Sequence, residues 1–251
     1  MRIMSYDMIR IFLCYKNGRY MKHLIIKSPS KIACLSVTFD AGSRMESKFK
    51  FTEGTAHLLE HCIFKGTNKR TSKDISKDVA RIGGSINAYT SHEAVNYFIT
   101  VPFHKINEAA EILSDIVFNS NFPKEEFDKE VNVVLEEERS SLDDVNSYMW
   151  DFFSKNYFQN YIGTRIIGSQ ESIKSISRDE MIKFYNKFCT KQKAVVSLAS
   201  CLKKKDAKAI LDEHFGGQTR HSPKNFKFDC NFDKVAMFEE ITKDGINSSY
   251  S

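Results

Sequence analysis

The chain has no Cys-x-x-Cys pair, no run of about 18 apolar residues and no dense block of one charge. The first absence excludes paired-thiolate metal sites and redox motifs. The six cysteines, at 14, 34, 62, 189, 201 and 230, are irregularly spaced. Most sit among apolar neighbours, as in IRIFLCY and KIACLSV, and read as reduced, buried thiols of a cytosol-like compartment. The second absence excludes a helical membrane span. The opening stretch MRIMSYDMIRIFLCY carries Asp7 and lacks a small-residue cleavage site, which makes it a poor signal or transit peptide. The expected location is cytoplasmic, with no membrane partner. Net charge is +5, spread over many lysines. The densest run, Lys203-Lys204-Lys205, reads as a solvated helix start, so no nucleic-acid partner is expected. What remains is ordinary: 41% hydrophobic and 27% charged residues over 251 positions, enough for a sizeable core.

Within that background one stretch stands out, Gly54-Thr55-Ala56-His57-Leu58-Leu59-Glu60-His61. On a helix the i, i+4 pair His57 and His61 lies on one face, one turn apart, where both can reach a single metal ion. Glu60 sits on a neighbouring part of that face, close enough to touch a metal-bound water. His-x-x-Glu-His is the pattern of inverted zinc peptidases. The same spacing also fits a surface turn with two solvated imidazoles. A catalytic zinc needs three protein ligands, so the reading requires a third.

The flanking pattern places that stretch on a helix over about 53–64, capped by Thr52 or Thr55 and closed by Lys65-Gly66-Thr67. Residues 8–15, 20–27 and 32–40 are β-rich, with a turn at Asn17-Gly18, and antiparallel pairing is the economical arrangement. Residues 45–54 form a polar approach. A helix over about 72–82, capped at Thr71 or Ser72, leads to strands at 85–90 and 95–101, joined by a hairpin and stopped by Pro102. An amphipathic helix spans 104–118, and a long one runs from Pro123 to about 146. The aromatic stretch YMWDFFSKNYF then reads as packed core. Short helices at 169–174 and 177–188, a strand at 194–199 and a helix at 203–214 follow. Residues 218–234 look like a linker, and 235–241 could form one further strand without a partner of its own. The expected units are therefore 1–217, the linker, and 235–251 as an added strand or the start of another domain.

The third ligand has its candidates in the long helix: Glu130, Glu136, Glu137 and Glu138. Glu130 and Glu137 are seven apart and share an azimuth within about 20°. Phe127, Val131, Val134, Leu142 and Val145 form the apolar stripe, with Glu138 nearest its centre and Glu136 on the far side. By pattern alone Glu137 and Glu138 are equally good.

From about Asn17 to Gly216 the chain resembles the pitrilysin family, which includes insulin-degrading enzyme and mitochondrial processing peptidase. The likeness rests on ordered blocks: Ala41-Gly42-Ser43-Arg44, GTAHLLEH, Phe64-Lys65-Gly66-Thr67, Gly83 through Thr90, Glu130 through Glu137, and Ile167 through Ile173. The resemblance implies one Zn²⁺ per chain on His57, His61 and Glu137, with Glu137 preferred over Glu138 by the family register. It implies Glu60 as general base, Glu130 as support, and hydrolysis of peptides or unfolded polypeptides by a metal-activated water. It also implies an edge strand that binds substrate as an added β-strand through Asn87, Ala88 and Thr90. The fold expected is α+β: an antiparallel sheet of about five or six strands, helices mainly on one face, and the site at one edge. Relatives close a chamber from two homologous halves, and only the first is visible here. The expectation is a partner subunit or homodimer supplying the second, or else a noncatalytic binding or assembly role.

Overall fold

A computed structural model describes residues 22–158, 163–216, 241–243 and 246–248. The strand expected at 8–15, the turn at Asn17-Gly18, the linker at 218–234 and residues 235–240 lie outside the described residues.

Five strands form one sheet: β1 (Lys22–Lys27), β2 (Ile32–Phe39), β3 (Ser85–Thr90), β4 (Val95–Pro102) and β5 (Val195–Ser200), in the order β1-β5-β2-β4-β3. The pairs β2–β4, β2–β5 and β3–β4 are antiparallel, whereas β1 runs parallel to β5. The α+β architecture is as expected, but the sheet is mixed and β1 is not the neighbour of β2. Only residues 28–31 connect β1 and β2, yet the two form no hairpin, because β5 lies between them in the sheet.

Register and period-2 alternation decide what each face carries. Leu35 opposes Ile99 and Leu198, and Val37 opposes Tyr97 and Val196. These side chains are completely buried. Ala88 opposes Tyr97 and Thr90 opposes Val95, so Ala88 and Thr90 point to this same apolar face. Two helices cover much of it: α4 (Ile106–Asn119) packs on β2 and β4, and α9 (Lys204–Phe215) on β1 and β5. The opposite face carries small polar groups such as the Thr38–Asn96 pair, whose hydroxyl donates to the amide oxygen at 3.0 Å.

The remaining helices are α1 (Arg44–Phe49), α2 (Thr55–Cys62), α3 (Ser72–Arg81), α5 (Lys124–Asp143), α6 (Val145–Tyr157), α7 (Gln170–Ser175) and α8 (Arg178–Phe188). α1 was hidden in a stretch that reads as a polar approach. Thr71 caps α3 with a capping box to Asp74. The long helix after Pro123 ends at Asp143 instead of continuing to 146. Asp144 leaves helical geometry and its carboxylate accepts from Ser147 N at 2.7 Å, starting α6. The aromatic stretch is helical but is not core: none of α6 is fully buried, and Trp150 is 61% exposed. Of the strand expected at 235–241 only Ile241 lies among the described residues; Ile241–Lys243 pairs antiparallel with Ile246–Ser248 in a separate two-stranded sheet. No helix among the described residues is long and apolar enough to cross a membrane.

Candidate metal centre

α2 exists as a helix because its apolar positions share one face. Ala56, Leu58, Leu59 and Cys62 are buried, while His57, Glu60 and His61 form the partly exposed i, i+3, i+4 stripe. Its start is held differently from the expected threonine cap. Gly54 is the capping residue, at φ 91°, and its N–H donates to Glu46 Oε2 at 3.1 Å. Ala56 N–H donates to Glu46 Oε1 at 2.6 Å. A carboxylate from α1 therefore satisfies the first amides of α2, where a helix N-terminus favours negative charge. The hydroxyl of Thr55 instead donates to Thr52 O, at 2.6 Å.

α5 brings the carboxylate. Phe127, Glu130, Val134, Leu135 and Glu138 form its buried stripe, and Glu137 stands on the flank with its side chain 49% exposed. Glu137 Oε2 is 3.3 Å from His61 Nε2, and Oε1 is 3.8 Å from His57 Nε2. One ligand atom from each of the three residues lies within 4.8 Å of the others. Two donors about 2.0–2.1 Å from a tetrahedral zinc stand about 3.4 Å apart, so the two Glu137 distances are near those of such an ion, and the group as a whole would draw in around it. Burial, with His61 adjacent, pushes His57 down to about 4, leaving it neutral with a lone pair to give.

Three further groups complete the surroundings. Glu130 Oε2 lies 3.3 Å from His61 Nδ1, an arrangement that holds the proton on Nδ1 and aims the Nε2 lone pair at Glu137. Lys65 Nζ pairs with the other Glu130 oxygen at 2.7 Å. Glu60, raised in pKa by burial, accepts a short hydrogen bond from the Thr90 hydroxyl. Thr90 thus meets Glu60, a contact that no local pattern signals; it follows from Thr90 facing the helix side of β3. Glu138 is buried and pairs with Arg165 Nη1 at 2.6 Å, away from the imidazoles. Glu136 pairs with Arg139 on the exposed side, as its azimuth predicts. Cys62, pushed up to about 12 mainly by burial, is a structural thiol. Asn87 and Ala88 lie on β3, an outer strand of the sheet; Asn87 Oδ1 accepts from Ala88 N at 2.8 Å. His57, Thr90, Glu137, Asp151 and Arg165 line one cavity of about 260 Å³.

The family model described as insulinase, peptidase family M16, matches residues 22–169. The chain belongs to peptidase family M16. Among M16 relatives, a probable mitochondrial-processing peptidase subunit beta of Arabidopsis thaliana is 35% identical over 175 residues, covering 69% of this chain and 33% of the relative. A zinc protease of Rickettsia bellii is 34% identical over 186 residues, 74% of this chain and 45% of its own length. The zinc protease YmxG of Bacillus subtilis is 32% identical over 194 residues, 76% and 46% respectively. The chain spans less than half the length of these relatives. Among solved structures, the periplasmic protease PqqL of Escherichia coli matches 86% of this chain and 25% of its own at TM-score 0.76 and 19% identity. A peptidase M16 inactive domain from Pseudomonas fluorescens matches 86% of this chain and 52% of its own at TM-score 0.75 and 16% identity. These two show that the fold is that of M16 domains.

Proposed function

We propose that this M16 chain is the metal-bearing domain of a zinc-dependent endopeptidase, with one Zn²⁺ on the inverted motif residues His57 and His61 and on Glu137. The observation that carries this reading is the convergence of two imidazoles and one carboxylate within 4.8 Å, with Glu60 between the two histidines in sequence. The names of the Rickettsia and Bacillus relatives support zinc as the ion. When bound, zinc would polarise the scissile carbonyl and acidify the attacking water. The chain's own residues do the rest. Glu60 accepts the water's proton and returns it to the leaving amine, a task suited to a carboxylate whose pKa burial has raised. Thr90 holds that carboxylate in place. Glu130 orients His61, and Lys65 holds the other oxygen of Glu130. β3 receives an extended peptide along its outer edge, with Asn87 and Ala88 beside the scissile bond.

The same reading assigns 1–217 to the peptidase domain, 218–234 to a linker and 235–251 to an added strand or the start of a further unit. We assign the rest of the substrate chamber to a partner subunit or a second copy, a reading supported by the name of the Arabidopsis relative, which is itself a subunit. The second reading is a binding or assembly subunit that keeps the zinc site but has no turnover alone; the fold is shared with an M16 domain described as inactive. The described cysteines are free thiols, which supports a reducing, cytoplasm-like compartment.

The deciding experiment is hydrolysis of a mixed pool of quenched fluorescent peptides by the zinc-loaded chain and by Glu60→Gln, with mass measured in solution. Cleavage by the wild type alone supports the endopeptidase, and the mass identifies a homodimer. Stoichiometric zinc without cleavage favours the binding subunit, and a chain that takes up no zinc removes both readings.

A further inference from the structure

The two elements carrying the donor set come from distant parts of the chain, and the turn that begins at Arg165 meets both, α5 through the Arg165 side chain and α2 through its backbone. Arg165, 19% exposed, donates from Nη1 to Glu138 Oε1 and from Nε to Asp151 Oδ2, both at 2.6 Å. Its Nη2 lies 3.4 Å from Ser141 Oγ, and Nη1 lies 3.4 Å from Gly168 O. These contacts clasp the last turns of α5 to α6. The turn that Arg165 begins closes with Gly168 N–H donating to Arg165 O at 3.1 Å, and it presses on the start of α2. A Cβ on Gly54 would lie 2.5 Å from Ile167 O, and one on Gly168 would lie 2.8 Å from Glu53 O. The backbones touch with no room for a side chain. From α5 through Arg165 to α2, the path runs along one wall of the cavity that His57 and Glu137 share.

We infer that Arg165 is a positioning residue for the metal centre, which sets Glu137 against the two imidazoles by holding its neighbour Glu138. The inference rests on the zinc-site reading above. The mechanism is rotational. Successive helix residues are about 100° apart, so Glu137 and Glu138 occupy fixed, different azimuths on α5. Glu138, 3% exposed, is tolerable inside the protein because Arg165 neutralises it. Without the guanidinium, the stranded carboxylate drives α5 to roll toward water, and that roll carries Glu137 off the position facing His57 and His61. Lysine cannot replace the fork, because one ammonium does not reach Glu138 and Asp151 with the same geometry.

The test is zinc affinity of the metal-stripped full chain, measured by competition with a chromophoric chelator, with thermal melts of the metal-free protein alongside. Arg165→Gln should weaken zinc by at least about tenfold, and Arg165→Lys by a smaller factor. Arg165→Met with Glu138→Leu, which removes the clasp and leaves only the part-exposed Asp151 without its guanidinium, should bind zinc more tightly than Arg165→Met alone. Arg70→Gln breaks a comparably buried clasp to Asp78, Glu111 and Asp115, and should lower the melting temperature without changing zinc affinity. Wild-type affinity in Arg165→Gln, no rescue in the double variant, or an equal loss in Arg70→Gln would each overturn the inference. If Arg165→Gln does not fold, Arg165→Lys and the double variant decide. A wild-type chain that binds no zinc overturns the zinc site itself, a result distinct from a site that binds zinc and ignores Arg165.

Discussion

The hydroxyl of Thr90, on the outer strand β3, donates to the carboxylate of Glu60, on the helix that carries both imidazoles. This contact joins the expected substrate-binding edge to the expected general base. A hydrogen bond to a charged group is worth about 1.5–3 kcal/mol, and losing part of that in the transition state slows the reaction by about tenfold or more. Thr90→Val should therefore lower kcat by about tenfold while zinc affinity stays at the wild-type value. Thr90→Ser, which keeps the donor, should retain most of the rate. Equal rates for Thr90→Val and wild type would show that the bond does not serve the base.

The two carboxylates that periodicity could not separate sit in opposite environments. Glu137 faces the histidines, and Glu138 is buried against Arg165. Glu137→Gln should weaken zinc by more than about a hundredfold, beyond the range typical of groups that merely support a ligand. Glu138→Gln keeps an amide oxygen that can accept from Arg165, so its affinity should stay within a few-fold of wild type. Chelator competition on both variants gives the answer, and a larger loss in Glu138→Gln would transfer the ligand role.

What was legible in the sequence was periodic. His57, Glu60 and His61 repeat at helical spacing, and β3 and β4 alternate, so both elements and the helical stripe were readable from residue order. The choice of Glu137 over Glu138 was not readable that way, because Glu138 lies nearest the centre of the apolar stripe with Glu137 beside it, and only contacts from other elements, the imidazoles on Glu137 and Arg165 on Glu138, distinguish them. Nor was the true cap of α2. Glu46 reaches Gly54 and Ala56 from another helix, while Thr52 and Thr55 satisfy the local capping pattern and do other work. The parallel β1–β5 pairing joins segments at opposite ends of the domain, and no local signal announces it. The exposed aromatics of α6 failed a composition rule for the same reason: hydrophobic content says nothing of which helix has a neighbour on that side.

Gly54 tests how tightly the start of α2 is held. Its φ of 91° disfavours any side chain, and a Cβ there would meet Ile167 O at 2.5 Å. Gly54→Ala should cost about 2–3 kcal/mol and lower the Tm of the metal-free chain by about 5–10 °C. Gly83 also has positive φ, at 66°, but its Cβ would find only Pro102, at 3.8 Å and beyond. Gly83→Ala should therefore cost only about 1 kcal/mol. Differential scanning calorimetry on the pair separates backbone strain from steric conflict, and equal losses would mean that the 165–168 turn yields easily.

The Glu46 cap makes stability depend on pH in a window of its own. Burial pushes this carboxyl up from 4.5 to about 8, although Gly54 and Ala56 donate to it and oppose the rise; nearby Glu53 and Glu180 add to it. A folded value above the unfolded one means that the fold holds the proton more tightly. The associated stability is complete below about 4.5 and is lost as pH rises through about 8. Other groups shift too, but elsewhere: Asp40, raised by burial to about 6, has given up its contribution by pH 7. His57, lowered to about 4, adds stability only as pH rises from there toward 6.5. Between pH 7 and 8 the slope therefore belongs mainly to Glu46, at no more than about 1.4 kcal/mol per pH unit; above that, the thiols of Cys34, Cys62 and Cys189, raised from 9.0 by burial, add a fall of their own. Urea unfolding of the metal-free chain should show a midpoint that falls from pH 7 to 8. Glu46→Gln should be less stable than wild type at pH 5, because its amide cannot accept from both backbone donors, and its midpoint should fall less steeply than that of the wild type from pH 7 to 8. A wild-type midpoint that is level across that interval would mean that the two backbone N–H groups hold Glu46 ionised throughout, and that the cap is an anion at every pH where the protein is folded.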